Sequence, residues 1–392
     1  MKVVVEQVQL AHRERFGVAG AVFQAPARVN LIGEHTDYTG GFVMPMAIGF
    51  HTVAVVSPRE DGRAFFYSVN FGEEELFAVD TLPDLEARAH WSDYPVGVWW
   101  SLAQAGISAA GGFSMTLAGD VPLGAGLSSS ASIEVVTAMA LLGLAGVTMP
   151  LETLATVCRR AENEFVGAKS GIMDQFIVAG GVEHRAMLLD CRALTYELLP
   201  LPESVRVVIC NSMVKHKIAA GEYGERRDEV EAGQAVLRRE VGTALLRDAT
   251  VAQLEDCKAM MSEASFARCK HIITENTRVA EARTALLAGD VAGFGKLMVA
   301  AHASMRDDFA ASCAEVDLLV EIAMKQPGCF GARITGGGFG GCTVNVVAAE
   351  QAEAFVAAVT REYKAAKGIA AECFICAPVD GALALAARGV AA

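Results

Sequence analysis

One short segment concentrates polar side chains that could bind a hydroxylated ligand. A strand-like run, 28–32, ends at a glycine, and four polar residues follow within five positions: Glu34, His35, Asp37 and Tyr38. Two carboxylates and an imidazole on a tight turn would accept several hydroxyl hydrogen bonds, as a sugar or polyol site requires. The same groups could instead hold a metal, and a solvated loop would explain the polarity without the pattern.

A second segment, 122–132, has the composition of an anion-binding loop. It reads PLGAGLSSSAS and runs into a helical pattern, 133–144. Glycines let backbone amides approach a ligand, and the helix N-terminus adds unpaired N–H groups and positive dipole. Serine hydroxyls add hydrogen bonds and one oxygen for Mg²⁺. An ordinary N-cap needs one or two serines, whereas four stand within 128–132, so phosphate binding is favoured.

Known nucleotide motifs do not account for this loop. It lacks the Gly-Lys-Ser/Thr of a Walker A motif, and Ser129 stands where a dinucleotide fingerprint has its third glycine. A third segment, 333–342, reads RITGGGFGGC and contains a literal GxGxxG. A strand pattern, 342–348, follows where that motif requires a helix. The segment is therefore either a glycine-rich β-turn or a loop whose backbone contacts a bound ligand.

The elements that must position these segments are a mixture of strands and long helices. Strands are indicated at 51–57, 206–212 and 342–348, and helices at 133–144, 151–166, 222–241 and 271–287. This mixture indicates an α+β or α/β fold. A turn-rich stretch, 180–202, separates a glycine-dense first part from a helix-dominated second part. We therefore predict two domains, 1–180 and 181–392.

Composition excludes several function classes. The 392 residues carry a formal charge of −13, so a general basic surface for nucleic acid is ruled out. The longest apolar run, 135–149, is too short to span a membrane and contains two threonines. The first residues are strand-like and show no secretory signal. Ten scattered cysteines are typical of free thiols in a reducing cytosol, so we expect a cytoplasmic protein.

Together, the three segments resemble the galactokinases of the GHMP small-molecule kinase superfamily. The first resembles the galactokinase signature, the second the phosphate-binding loop of the superfamily, and the third its C-terminal glycine-rich motif. Further similar motifs lie at 91–98, 162–164 and 171–176, so the resemblance covers most of the chain. In one departure, Ala27 precedes Arg28 where the family usually has glycine, and its methyl group could shift a turn there.

The resemblance implies a two-domain α+β fold with the active site in the interdomain cleft. It implies an ATP-dependent sugar kinase that transfers the γ-phosphate of ATP to the C1 hydroxyl of α-D-galactose. The product, galactose 1-phosphate, starts the Leloir route of galactose metabolism. The small-molecule partners would be galactose and ATP, with Mg²⁺ as cofactor and no nucleic acid or membrane, and we expect a monomer.

The resemblance also implies a role for individual positions. Asp174 matches the active-site aspartate that accepts or orients the hydroxyl proton, and Arg28 matches its cationic partner. The positions that match sugar contacts are Glu34, His35, Asp37, Gly171 and Tyr223. The positions that match nucleotide contacts are Gly124, Gly126, Ser128, Ser129, Ser130 and, near the adenine, Trp91. Ser130 and Glu162 match the Mg²⁺ ligands, and both offer hard oxygen atoms.

Two alternatives stay open at this point. One is a sister sugar 1-kinase that acts on N-acetylgalactosamine or an arabinose. The other is a non-catalytic sugar and ATP sensor on the same fold. Loss of Asp174, Arg28 or the loop 122–132, called the serine loop below, would favour the sensor, and all three are intact.

Overall fold

The computed structural model describes residues 2–108, 111–122, 124–215 and 219–387. The strands are β1 Ala21–Asn30, β2 Phe42–Val43, β3 Pro45–Pro58, β4 Arg63–Ser68, β5 Glu73–Ala78, β6 Gly112–Gly119, β7 Arg185–Asp190, β8 Thr195–Pro200, β9 Val205–Lys215, β10 Cys329–Thr335, β11 Gly340–Ala348 and β12 Glu372–Cys376. The helices are α1 Lys2–Phe16, α2 Asp93–Gln104, α3 Ser129–Ala145, α4 Leu151–Arg160, α5 Met173–Gly180, α6 Ala219–Val241, α7 Val251–Asp256, α8 Glu263–Leu287, α9 Val291–Asp307, α10 Ala314–Met324, α11 Ala352–Lys367 and α12 Ala382–Ala387. Short 3₁₀ turns and a π-helical turn, Ala161–Val166, connect or extend these elements.

The first sheet fixes the start of the helix that follows the serine loop. Its strand order is β1-β3-β6-β4-β5, with β4 parallel to β6 and the other neighbours antiparallel. Helices α2, α3 and α4 pack around apolar side chains that include Phe66, Trp99, Phe113 and Leu141. Helix α3 is apolar on nearly all sides because it contacts both the sheet and the neighbouring helices.

The chain begins with a helix, so the strand expected at the N-terminus is wrong. Val8 and His12 lie one turn apart on α1 and are fully buried against β3 and β6. The His12 ring hydrogen-bonds Thr116 and Ser57, at 3.0 Å each. This helical spacing of buried groups outweighs the strand propensity of the valines near the start.

Strand β1 carries a bulge immediately before the first polar segment. Its pairing with β3 shifts register between Pro26 and Ala27, and a bulge of this kind bends and twists a strand. Ala27 is fully buried and pairs with Ile48, so its methyl group lies in the core of a strand and not at a turn. The concern that this methyl shifts a turn therefore has no structural basis.

A second sheet lies in the C-terminal part and shares its core with β1 and β3. Its order is β10-β11-β9-β12, with all neighbours antiparallel. Helices α10 and α11 pack against it through an apolar cluster that includes the buried Tyr363. Another apolar cluster joins Val29 and Met46 of the first sheet to Val207 and Val344 of the second. Strand β1, which belongs to the first sheet, therefore also packs against the second. Its last residue, Asn30, contacts Thr335 at the start of the glycine-rich loop between β10 and β11.

A third, smaller sheet crosses the predicted domain boundary. Strand β2 pairs antiparallel with β7, which pairs with β8, so residues 42–43 and 185–200 share one sheet. Helix α12, near the end of the chain, packs against β1 and α5. The division at 180 and 181 stays a prediction.

The strand run predicted at 28–32 overlaps β1 but the strand ends at Asn30, because the chain turns there; apart from the N-terminal strand, the other predicted elements are present at the expected positions. The four helical patterns lie in α3, in α4 with its π-helical turn, in α6 and in α8, and the three strand patterns lie in β3, β9 and β11. The mixed α+β class is confirmed. Helices α2, α5, α9, α10 and α11 were not predicted as such. Over the part of the chain that the structure describes, no helix combines the length and apolarity that a membrane crossing requires.

Candidate active site

A bidentate ion pair between the buried Arg28 and the half-buried Asp174 joins the end of β1 to the start of α5. The Arg28 guanidinium donates from Nε to Asp174 Oδ1 at 2.7 Å and from Nη2 to Oδ2 at 2.6 Å. Its third nitrogen, Nη1, donates to the carbonyl of Gly126 at 2.6 Å. Burial lowers the pKa of Arg28, but the charge and hydrogen bonds of Asp174 outweigh it and the pKa is raised. Arg28 therefore stays charged, and the two parallel hydrogen bonds fix the orientation of both side chains.

The serine loop is fixed to this pair. The amide of Arg28 donates to Leu127 O at 3.2 Å, and the Ser128 hydroxyl donates to Asp174 Oδ2. Ser128 has φ of 58° and Gly126 has φ of 77°, so the loop turns through the left-handed region just before α3 begins. Such a conformation is costly for a serine and persists only where the surroundings enforce it. The loop therefore presents the first amides of α3 next to Asp174.

Asp37 approaches the backbone so closely that only glycine fits opposite it. A Cβ atom on Gly171 would lie 1.7 Å from Asp37 Oδ2. Burial is the main cause that raises the pKa of Asp37 to about 6, from 3.8, and the negative charge of Asp174 adds to it. Two carboxyl groups, Asp37 and Asp174, thus line one cavity, and burial there disfavours the charged form of Asp37.

Glu34 is held by the glycine-rich loop of the C-terminal part. Its Oε1 accepts from the amide of Gly336 at 3.0 Å and from the Thr335 hydroxyl at 3.2 Å. The same oxygen lies 2.7 Å from Nη2 of Arg333, which is fully buried. Three groups therefore hold one oxygen of Glu34. The Glu34 side chain lines the cavity beside Arg28.

His35 is a neutral ring in an aromatic setting. Its backbone has φ of 60°, and its ring stacks on Phe309 with centroids 4.2 Å apart. Tyr223, on α6, lies 5.4 Å away between ring centroids. Burial, the main cause, and the nearby His271 lower the pKa of His35 to about 3. The ring is therefore uncharged at neutral pH and offers one donor and one acceptor nitrogen.

A cavity of about 150 Å³ brings together the residues assigned to catalysis and sugar contact. Its lining consists of Arg28, Glu34, His35, Asp37, Ser170, Gly171, Met173, Asp174, Tyr223, Gly336 and Gly337. All seven residues expected for those two roles are in this set. They come from β1, the loop after it, the loop before α5, α5 itself and α6, which are far apart in sequence.

A second cavity, of about 200 Å³, includes Ser129 and Ser130 of the serine loop in its lining. It is lined by Thr52, Ser68, Asn70, Phe71, Trp91, Tyr94, Leu117, Ala118, Gly119, Val121, Ser129, Ser130 and Ile133. The Trp91 ring lies nearly parallel to that of Phe71, with centroids 6.3 Å apart, and its buried Nε1–H has no partner among the described residues. A flat aromatic ligand with an acceptor atom fits such a wall. Gly124 lines neither cavity and is exposed at the start of the loop.

Glu162 lies behind the serine loop in a buried acidic cluster. Its Oε2 accepts from the Ser170 hydroxyl at 2.5 Å and from Gln175 Nε2 at 2.8 Å. Burial, as the main cause, raises the pKa of Glu162, while the contacts with Ser170, Gln175 and Ser130 lower it. Burial and the charge of Glu162 also raise the pKa of Glu134 well above its usual value.

Several site residues were not selected from the sequence. Arg333 is the first residue of the third motif, and its position just before the glycine run is the signal that the sequence offers for it. Ser170 and Met173 flank Gly171 and line the same cavity. Tyr94 lies in the 91–98 motif and lines the second cavity. No periodicity distinguishes these residues, because the folded chain alone brings them to the cavities.

Comparisons with known proteins agree with this geometry. The galactokinase galactose-binding signature matches residues 10–58, the GHMP kinases N terminal domain matches 93–181, and the GHMP kinases C terminal domain matches 282–365. The chain is 42% identical to a galactokinase of Roseiflexus sp. strain RS-1 over 361 residues, which cover 92% of each chain. It is 40% identical to a human galactokinase over 390 residues, which cover 97% of each chain.

Solved structures extend the comparison to the whole fold. The crystal structure of Lactococcus lactis galactokinase complexed with galactose matches with a TM-score of 0.91 and 34% identity, covering 96% of this chain and 99% of that one. A mevalonate kinase matches with a TM-score of 0.65 and 17% identity, covering 92% and 99%, which shows the shared fold alone. These matches confirm the predicted GHMP kinase fold.

The raised pKa of Asp37 predicts that Asp37→Asn stabilises the folded protein at neutral pH. The folded state keeps a proton on Asp37 up to about pH 6 and the unfolded state only to 3.8, so stability falls as pH rises between these values. Asn removes that loss. At pH 8 we expect the free energy of unfolding of the variant to exceed that of the parent by about 1–3 kcal/mol.

Urea unfolding at pH 8 and pH 4 measures this difference. Near pH 4 the folded parent holds Asp37 mostly protonated, and the Asn of the variant carries no charge. The difference in the free energy of unfolding should therefore be much smaller than at pH 8. A gain that is equal at both pH values, or a loss at pH 8, would contradict the electrostatic origin.

Proposed function

Since the chain belongs to the galactokinase family, we propose how its two cavities divide the work of phosphorylating galactose with ATP. The chain is an ATP-dependent sugar kinase that transfers the γ-phosphate of ATP to the C1 hydroxyl of α-D-galactose. The product is galactose 1-phosphate, which enters the Leloir route. The assignment of individual residues to steps is the proposal.

The observation that carries the proposal is the Arg28–Asp174 pair at the wall of a polyol-sized, acceptor-rich cavity. Asp174 lies where a sugar hydroxyl in the cavity can donate to it, and the Ser128 contact places the serine loop at the same carboxylate. Arg28 holds the Asp174 carboxyl group in place with two parallel hydrogen bonds, and this contact favours the charged form of Arg28. Asp174 would accept or orient the C1 hydroxyl proton, and Arg28 would stabilise the transferring phosphoryl group.

Sugar selection would come from the remaining polar groups of that cavity. Asp37 and Glu34 offer carboxylate oxygens, and the neutral His35 ring offers one donor and one acceptor. Tyr223 keeps its hydroxyl proton because burial raises its pKa, so it can donate as well as accept. Gly171 contributes by leaving room for Asp37. Such a set recognises the position of each hydroxyl, because a missing partner leaves a buried group unpaired.

The second cavity would hold the nucleotide. Trp91 and Phe71 offer an apolar aromatic wall for adenine, and Ser129 with Ser130 places α3 amides and hydroxyls between the two cavities. Gly124, Gly126 and Ser128 form the turn that leads into this helix. Phosphates bound there would point toward Asp174, which gives the alignment that phosphoryl transfer requires.

Magnesium fits the residues behind the serine loop. Ser130 and Glu162 offer hard oxygen atoms. A cation would compensate the negative charge of Glu162, whose charged form is disfavoured by burial. Among the described residues no group of three or more His, Cys, Asp or Glu side chains is placed to hold a metal. Mg²⁺ often takes one or two protein ligands and completes its shell with phosphate oxygens and water. When bound, it would neutralise charge on the phosphates.

Location and assembly are also part of the proposal. All ten cysteines are free thiols, which supports a reducing compartment such as the cytoplasm. We propose a monomer, since both cavities are built from residues of one chain.

Product analysis on a sugar panel tests the function. Galactose should be phosphorylated at C1, and glucose, which is inverted at C4, should be poorer by roughly 10³-fold or more in kcat/KM. N-acetylgalactosamine and arabinose as better substrates would indicate a sister kinase. Absence of ATP turnover with every sugar, despite sugar binding, would indicate a sensor.

Replacement of Asp174 by Asn tests the chemical role. The variant keeps the shape and loses the negative acceptor, so kcat should fall by about 10²–10⁴-fold while galactose binding persists. Arg28→Lys should also lower kcat, because an ammonium cannot reproduce the two parallel hydrogen bonds. Near-normal kcat in the Asp174 variant would remove this residue from the mechanism.

Replacement of Gly171 by Ala tests the sugar site separately. The added Cβ would displace Asp37, so galactose affinity should fall by about 10-fold or more, which is the loss of one charged hydrogen bond. Gly49→Ala is the control, because a Cβ there meets a single apolar atom at 3.9 Å. Titration calorimetry with galactose measures both. Equal affinities in the two variants would exclude Asp37 as a sugar contact.

A further inference from the structure

A buried amide behind the serine loop connects two carboxylates. Gln175 is fully buried, and its Nε2 donates to Glu162 Oε2 at 2.8 Å and to Glu134 Oε2 at 2.9 Å. Glu134 is also fully buried, and its Oε1 has no hydrogen-bond partner among the described residues. Neither carboxylate has an ion-pair partner in that part of the chain. No role described above uses Gln175 or Glu134.

The hydrogen bonds on Glu162 leave one of its oxygens available. Gln175 and Ser170 both donate to Oε2, so this oxygen is fixed by two donors. Oε1 is then the oxygen that can face Ser130 and a cation. A ligand carboxylate held in this way keeps its orientation before the cation arrives, which is how outer residues tune metal sites.

The chemistry of the donor matters as much as its position. An arginine or lysine at position 175 would also orient Glu162, but it would cancel the negative charge that attracts a cation. An amide donates two hydrogen bonds and adds no charge. Gln175 therefore orients the carboxylate and leaves its charge available.

The chain connectivity couples this amide to the catalytic pair. Gln175 directly follows Asp174 on the first turn of α5, and Glu134 lies one turn after Ser130 on α3. A single turn of α5 thus carries both the proposed proton acceptor and the group that orients Glu162. We propose that Gln175 is a positioning residue of the cation site. Its side-chain amide donates to both Glu162 and Glu134 and so fixes the orientation of Glu162. This inference rests on the proposed cation site.

The first experiment measures ADP affinity by calorimetry with Mg²⁺ and in EDTA, on the full-length protein. The ratio of the two affinities reports binding of the cation next to the nucleotide. Gln175→Met keeps the side-chain length and removes both hydrogen bonds, so this ratio should fall by about 10-fold. ADP affinity in EDTA and galactose affinity should stay within about 2-fold of the parent, which a merely structural defect would not allow.

A matched control separates loss of a buried amide from loss of this contact. Gln24 is also a buried glutamine, on β1, and is not among the residues that line either cavity. Gln24→Met should leave the Mg²⁺ ratio unchanged. An equal fall of the ratio in both variants would overturn the assignment.

A second variant keeps the test valid if Gln175→Met does not fold. Gln175→Glu preserves size and polarity but places an acceptor where two carboxylates need a donor. At pH 8 we expect a weaker Mg²⁺ effect despite the added negative charge. An equal or stronger effect would mean that charge alone governs the site, and the positioning role would be wrong.

Glu162→Gln distinguishes failure of this inference from failure of the proposed cation site. It removes the charge of the proposed ligand and should abolish most of the Mg²⁺ effect. If that variant retains the parent ratio, the cation site itself is misassigned and the inference falls with it. If it loses the ratio and both Gln175 variants keep it, only the positioning role is overturned.

Discussion

The bidentate contact between Arg28 and Asp174 is the interaction on which the site depends. It ties the last residues of β1 to the first turn of α5, and its third donor and the Ser128 hydroxyl tie the serine loop to both. Arg28 is buried, so loss of Asp174 would destabilise the fold by leaving the guanidinium charge without compensation. The same contact therefore fixes the position of the Asp174 carboxylate and the path of the turn that leads into α3.

The cavity concentrates negative charge, which is unfavourable for folding and useful for recognition. Asp37 shares the cavity with Asp174 and has a raised pKa, and Glu162 is buried behind the loop with its own pKa raised. Sites that bind polar ligands commonly give up stability in this way. Here the buried carboxyl groups, Asp37 and Glu162, lie where hydroxyl hydrogens or a cation would compensate their negative charge.

The C-terminal part completes the site rather than merely covering it. The loop after β10 holds Glu34 through Gly336, Thr335 and Arg333, and α6 contributes Tyr223. The apolar cluster that joins β1 and β3 to β9 and β11 keeps these contributions in register. The first cavity is thus lined by residues from both the N-terminal and the C-terminal part of the chain.

The sequence by itself determined the family, the mixed fold class and the residues whose motifs carry chemistry. Asp37 stands out because it lies in a polar turn directly after a strand, whereas Arg28 and Asp174 are indicated only by the resemblance to the galactokinases. Only the tertiary structure decided the rest. The N-terminal helix depends on burial of Val8 and His12 against a distant sheet, and its local propensity points to a strand. Arg333 and Gln175 act through partners some 300 and 13 to 41 positions away, so no local pattern marks them. Long-range packing sets such contacts, whereas sequence patterns record only what neighbouring residues dictate.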